Sequence, residues 1–273
     1  MWGQSALLTL PSGIWLDGKH YRAAALRPLT GEDELFMSAL AASVSLPEQA
    51  TILLARCVTA LGSIAPVPTD VIAALPVGDR EALLLTLRGV SYGGRMDGVL
   101  NCSHCNAKLD LDLHPDQLLL PPYDQPAPVY ELTVEGVTVA FRLPTGEDET
   151  LAARLPIDHA EADLLRRCLV DVTPERAELS EALIDAVEQA MLDCDPQAEI
   201  VIDMHCPECG QAFSALFDTA QFLLREVGQR ARQLYHDIHT LALTYHWREA
   251  DILALPFQRR QMYLNLLDEG GAL

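Results

Sequence analysis

Leu100-Asn101-Cys102-Ser103-His104-Cys105-Asn106 and Met204-His205-Cys206-Pro207-Glu208-Cys209-Gly210 are the two stretches on which the reading of this chain turns. Each is a Cys-x-x-Cys at the mouth of an extended run. Ala107 to Leu113 alternates strictly, and after the second pair Phe213, Ala215 and Phe217 fall in phase. Two such knuckles offer four thiolates, the donor set of a closed tetrahedral zinc site. Cys102, Cys105, Cys206 and Cys209 are therefore expected to bind one structural Zn²⁺, with about a hundred residues looped out between the halves, far more than the roughly 15–20 of a simple zinc ribbon. A thioredoxin-like redox role needs one pair opening a helix after a strand, and both flanks here read as extended. His104 and His205 flank the knuckles, but a complete set of four cysteines leaves them no coordination position. They are expected to face solvent or to support the ligands from outside.

Composition narrows the function classes. The chain has 273 residues, 49% of them apolar, enough for one large domain or two small ones with a real core. Lys and Arg number 19 against 39 Asp and Glu, a formal charge of −20. That balance argues against unassisted binding to nucleic acid or to an anionic membrane, and favours a basic or mixed protein partner. No apolar run approaches the roughly 18 to 20 residues of a membrane span, and Met1 to Ser5 lacks the basic start of a signal peptide. Seven cysteines, four in metal-type spacing, fit a reducing cytoplasm. Cys57, Cys168 and Cys194 sit in apolar helical runs and read as small core residues.

The chain also repeats itself. Residues 6–29 read as a hairpin turning at Asp17-Gly18, and residues 129–141 as another turning at Glu135-Gly136. The first leads into Arg27-Pro28-Leu29-Thr30-Gly31-Glu32-Asp33-Glu34 and the second into Arg142-Leu143-Pro144-Thr145-Gly146-Glu147-Asp148-Glu149, identical at six of eight positions. Helical runs follow in both copies: Pro47 to Leu61 and Asp79 to Arg88 in the first, Glu161 to Leu169 and Leu179 to Leu192 in the second. A Cys-x-x-Cys hairpin closes each. The offset is 115 residues at the glycine and 104 at the first cysteine, which marks an internal duplication with a shorter helical part in the second copy. The acidic Thr-Gly-Glu-Asp-Glu runs are explained by helix capping and the helix dipole, and neither supplies the alternating ligands of a calcium loop. The expected fold is α+β: tandem-duplicated β-hairpin and helix units over 1–122 and 127–217, joined by the paired zinc knuckles, then a C-terminal amphipathic helical segment over 218–273.

In that last segment Leu224, Val227, Ala231, Leu234, Ile238, Leu241 and Tyr245 follow 3,4 spacing, which predicts an amphipathic helix of about 27 residues. A short helix up to Pro256 and a final one from Phe257 complete it. Much of the positive charge lies here among aromatic and apolar residues, so Leu234, Ile238, Leu241, Tyr245, Trp247 and Tyr263 are the expected partner-binding residues. His236 and His239 share a helical face and read as half-buried rather than metal-binding.

Enzymatic signatures are missing. There is no Gly-x-Ser-x-Gly, no phosphate-binding glycine loop and no His-Glu-x-x-His. His159-Ala160-Glu161 ahead of Cys206-Pro207-Glu208-Cys209 superficially suggests a zinc deaminase, but Pro207 lies inside the cysteine pair and Cys102 and Cys105 go unexplained. A zinc with four cysteine ligands has no open position for water, so no catalytic residue and no small-molecule substrate are expected.

Leu10-Pro11-Ser12-Gly13, Leu26 to Gly31, Gly78-Asp79-Arg80-Glu81-Ala82-Leu83-Leu84 leading to Leu87-Arg88, and the paired Cys-x-x-Cys together resemble proteins of contractile phage tails and phage-tail-like injection systems. They are similar to the baseplate hub assembly chaperone family, and Leu241 to Leu253 resembles the Tyr/Phe-x-Trp helical turn of tail assembly chaperones. The resemblance implies a non-enzymatic assembly chaperone or minor structural component of a baseplate, with hub or tape-measure-type proteins as partners. A zinc-ribbon adaptor in another complex is the alternative, and a zinc-dependent hydrolase or deaminase a more distant one.

Overall fold

The computed structural model describes residues 5–174 and 180–270. The start of the expected helix at Leu179, the residues before Ser5 and Gly271 lie outside that range. The chain opens with β1 (Ala6–Leu16) and β2 (Lys19–Leu26), paired antiparallel around Asp17-Gly18. Both turn residues have positive φ, +50° and +73°, the backbone that keeps a two-residue turn in step with the strand twist. Pro11-Ser12-Gly13 falls in a bulge between Thr9 and Ile14 inside one continuous strand.

Helix α1 (Gly31–Leu40) follows, and α2 (Leu46–Cys57) runs straight into β3 (Val58–Leu61), which adds to β2. The single helix expected to Leu61 thus stops at Cys57, and the β-branched Val58 and Thr59 begin a strand instead. After α3 (Thr69–Ala73), helix α4 (Val77–Tyr92) is longer than the Asp79–Arg88 read from the sequence, and it packs across β1. The hairpin β4 (Met96–Asn101) with β5 (Lys108–Leu113) carries the first knuckle, and a short α5 (Pro115–Leu118) ends the first half.

The second half retraces this order. Strands β6 (Tyr130–Val134) and β7 (Val137–Phe141) turn at Glu135-Gly136, again with positive φ at both residues, and lead to α6 (Gly146–Ala152) and α7 (Ile157–Cys168). Then β8 (Leu169–Thr173) adds to β7 as β3 adds to β2. The correspondence reaches single hydrogen bonds: Arg27 N donates to Cys57 O and Arg142 N to Cys168 O, both at 2.9 Å. Helix α8 (Glu181–Cys194) covers this smaller sheet through Leu183, Val187 and Met191, which pack on Val139, Phe141 and Cys168. The second knuckle hairpin is β9 (Val201–His205) with β10 (Ala212–Leu216).

The repeated octets have matching roles. Thr30 and Thr145 cap α1 and α6, each in a reciprocal box with the aspartate three residues on. Arg27 and Arg142 pair with those same aspartates, Asp33 and Asp148. Burial alone would raise both carboxyls, but the arginine hydrogen bonds hold them below the ordinary carboxylate range. The acidic runs are therefore structural.

The 27-residue α9 (Thr219–Tyr245) is the spine of the first half. Its Leu223 and Val227 belong to the main core with Leu26, Leu54 and Leu87. It ends at His246, in the left-handed conformation, after which α10 (Glu249–Leu253) and α11 (Phe257–Gly270) fold back. There Gly31 N donates to Leu255 O and Thr30 bridges Pro256, while Arg260 pairs with Glu34. The start of α4 meets α6 in the same way: Gly146 N donates to Leu75 O, Thr145 bridges Pro76, and Arg80 pairs with Glu149 at 3.5 Å.

Candidate metal centre

Both knuckles are built by one backbone device. Cys102 N donates to Ala107 O and Asn106 N to Cys102 O, each at 2.9 Å; Cys206 N donates to Gln211 O and Gly210 N to Cys206 O, also at 2.9 Å. The residue after the second cysteine takes positive φ in each, Asn106 at +61° and Gly210 at +70°. Asparagine and glycine are the residues that adopt this conformation most readily. The reversal aims both thiols of a pair off the end of its hairpin.

The two hairpin ends meet. Cys102 Sγ lies 3.8 Å from Cys209 Sγ, and Cys105 Sγ lies 3.6 Å from Cys206 Sγ, so each close pair joins one half of the chain to the other. All four sulfurs lie within 4.8 Å of one another. A tetrahedral site with metal–sulfur bonds of about 2.3 Å places its sulfurs about 3.8 Å apart, the spacing of the two close pairs, and the four together could hold one ion. Cys102 and Cys206 are buried beneath Leu109 and Phe213, while Cys105 is exposed and Cys209 half-buried. The cluster is open to solvent on one side, and the inner thiols are shielded.

The electrostatics suit a cation. The amide groups of Cys105 and His104 are turned towards Cys102 Sγ and bring that thiol down to about 6, into the range where it ionises at neutral pH. Cys105, although the Ala107 amide lowers it, is pushed up to about 12 by desolvation and the neighbouring Cys206 thiol. Four thiols this close do not all ionise unless positive charge sits among them, and a coordinating divalent ion supplies it. Among the described residues no other group of three or more His, Cys, Asp or Glu converges in this way. His104 and His205 are exposed, as are His236 and His239, and His159 is not near the cysteines' ligand atoms.

The residues expected to bind a partner divide into two sets. Leu234 and Leu241 are fully buried, and Leu234 packs beneath Gly31 where α9 crosses α1. Helical spacing finds an apolar face but does not say whether the rest of the chain already covers it. Ile238 is half-buried. Tyr245, Trp247 and Tyr263 form one aromatic cluster, with centroids 4.8 to 5.8 Å apart, that staples α11 back onto α9. The open apolar surface of this segment consists of residues that the spacing argument passed over: Tyr235, Leu243, Met262 and Leu266 are 65, 68, 42 and 56% exposed. Arg259, Met262, Tyr263 and Leu266 line a concavity of about 400 Å³ on α11. No helix among the described residues is long and apolar enough to cross a membrane.

No curated protein and no solved structure matches the chain. A family model does match, over residues 17–224, from the turn of the first hairpin to the first turns of α9 and including both knuckles. That span is well over half the sequence. The chain belongs to the T4 bacteriophage base plate protein family.

Proposed function

We propose that this base plate family member is a non-enzymatic assembly factor or minor component of a contractile tail baseplate, held in shape by one structural Zn²⁺ on Cys102, Cys105, Cys206 and Cys209. Its partners are hub or tape-measure-type tail proteins, met through the C-terminal helices. The observation that carries the reading is the combination of the family match with four cysteine sulfurs within 4.8 Å of one another. Such a set uses every coordination position of the metal, so the ion stabilises and has no site for substrate.

A baseplate component must offer a surface to other tail proteins, and the uncovered apolar Met262 and Leu266 of α11 offer one beside Arg259 on an otherwise acidic protein. Patches of this kind, rimmed by charge, mark protein contacts. Co-expression with the neighbouring tail proteins and capture of the tagged chain tests this. Met262→Asp with Leu266→Asp is expected to abolish co-purification of the partner while leaving the fold intact. Undiminished capture by a folded double variant refutes this surface.

A further inference from the structure

The α10–α11 hairpin fills a socket that the fold builds twice. The occupants share a pattern at an offset of 180 residues, Ile72-Ala73-Ala74-Leu75-Pro76-x-x-x-Arg80 and Ile252-Leu253-Ala254-Leu255-Pro256-x-x-x-Arg260. In each, the leucine before proline accepts a hydrogen bond from the socket glycine amide at 3.3 Å, Gly146 or Gly31. The proline bridges the socket threonine, and the arginine, 2 or 1% exposed, reaches the socket glutamate. A socket of Thr-Gly-x-x-Glu thus recognises a helix that starts Leu-Pro and carries arginine one turn in.

The two occupants differ in how firmly they are anchored. Helix α4 buries ten residues, whereas across described residues 249–269 only Ile252 and Arg260 are buried. Residues 246–248 connect the hairpin to α9, and His246 sits there at φ +57°, a conformation that is strained for a residue with a side chain. Winding the link into helix would relieve that strain and carry α10–α11 away from its own socket. An empty socket is unfavourable in turn, because Glu34 is 0% exposed and would lose its counter-charge. Tyr92 Oη also donates to Glu34, and Arg230 stacks on both Tyr92 and Phe257, so the socket is built around an occupant.

A second copy of the same chain carries the required segment. We propose that α10–α11 exchanges between two copies, each filling the other's Thr30–Glu34 socket, to give a twofold dimer that reuses the contacts of the single chain. Exchange of an identical element across a short hinge is a low-cost route to such a dimer.

Mixing two full-length variants tests this. E34R lacks a working socket and R260E a working plug, so neither makes the native pair alone. In an exchanged heterodimer one socket holds the native pair and the other the same two charges reversed. Light scattering after size exclusion is expected to show a species of twice the 29.9 kDa chain mass in the mixture and far less of it in either variant alone. A mixture that stays at one-chain mass overturns the proposal. If either variant fails to fold, wild-type chains with light and heavy isotopes are mixed and followed by native mass spectrometry. Dimers of mixed mass that grow with concentration, and that Arg260→Gln diminishes, support exchange; one-chain masses throughout overturn it.

Discussion

Cys105 Sγ lies 3.6 Å from Cys206 Sγ although 101 positions separate them in the chain. Cys102 and Cys209 make the matching contact between halves, so a metal here closes a very long loop. Structural zinc sites of this kind contribute on the order of 10 kcal/mol or more of apparent free energy, coupled to folding. Cys105→Ala is accordingly expected to loosen β9 and β10, the hairpin it does not belong to, as much as its own β4 and β5. Hydrogen exchange at Val201–His205 and Ala212–Leu216 reads this directly; protection lost from β4 and β5 alone would show the knuckles to be independent.

The socket glycines give a graded prediction. A Cβ on Gly146 would meet the Arg80 guanidinium at 2.2 Å, and Arg80 is 2% exposed and held by Ile72 O, Pro47 O and Glu149, contacts that a shift would disturb. A Cβ on Gly31 meets Arg260 Nη1 at 3.0 Å, a contact that small shifts relieve. Gly146→Ala is expected to cost about 2–3 kcal/mol and Gly31→Ala about 1 kcal/mol or less. Urea titrations of the two variants, with metal saturated, give the order.

Burial pushes Asp79 up to about 7, with Asp195 adding to the shift, although the Ser12 and Gly13 amides both donate to its carboxylate. A buried carboxyl whose folded pKa exceeds the ordinary 3.8 contributes stability that is full at about pH 4 and lost as pH rises through 7. Asp79→Asn does not titrate. Its stability deficit relative to wild type should therefore shrink between pH 4 and pH 8, by up to about 4 kcal/mol. Comparing the two proteins at each pH cancels the pH dependence of the metal site, and a deficit that does not change with pH contradicts the assignment.

Leu234→Asp and Leu266→Asp separate core from surface on the same C-terminal segment. The first puts a charge at a 0% exposed site and is expected to unfold the protein or cost about 4 kcal/mol or more. The second changes a 56% exposed side chain and is expected to move stability by no more than about 0.5 kcal/mol. Thermal melts of both variants decide whether α9 is the spine described above.

Much of this was legible in the sequence because the signals were local. Asp17-Gly18 and Glu135-Gly136 fix hairpin turns, Cys-x-x-Cys fixes the knuckles, and the repeated octet announces two capped helices. Strands β3 and β8 were not legible, since α2 and α7 pass into them at Cys57–Val58 and Cys168–Leu169 with no glycine or proline to mark the change. Val58, Thr59, Val170, Val172 and Thr173 were the available hint, too short for a strand period to register. The sockets depend on contacts between distant segments. The Ile-x-Ala-Leu-Pro-x-x-x-Arg pattern was present in both occupants but carries meaning only beside the glycine and glutamate it meets. The burial of Leu234 and Leu241 was hidden for a related reason: an amphipathic helix shows its apolar face without saying what covers it.

The most direct test is elemental analysis of the purified chain, paired with melting curves, for wild type and Cys206→Ser. One zinc per wild-type chain, lost in Cys206→Ser together with a large fall in melting temperature, is the predicted result. A wild-type chain that carries no metal and melts unchanged in the presence of a chelator would contradict the account.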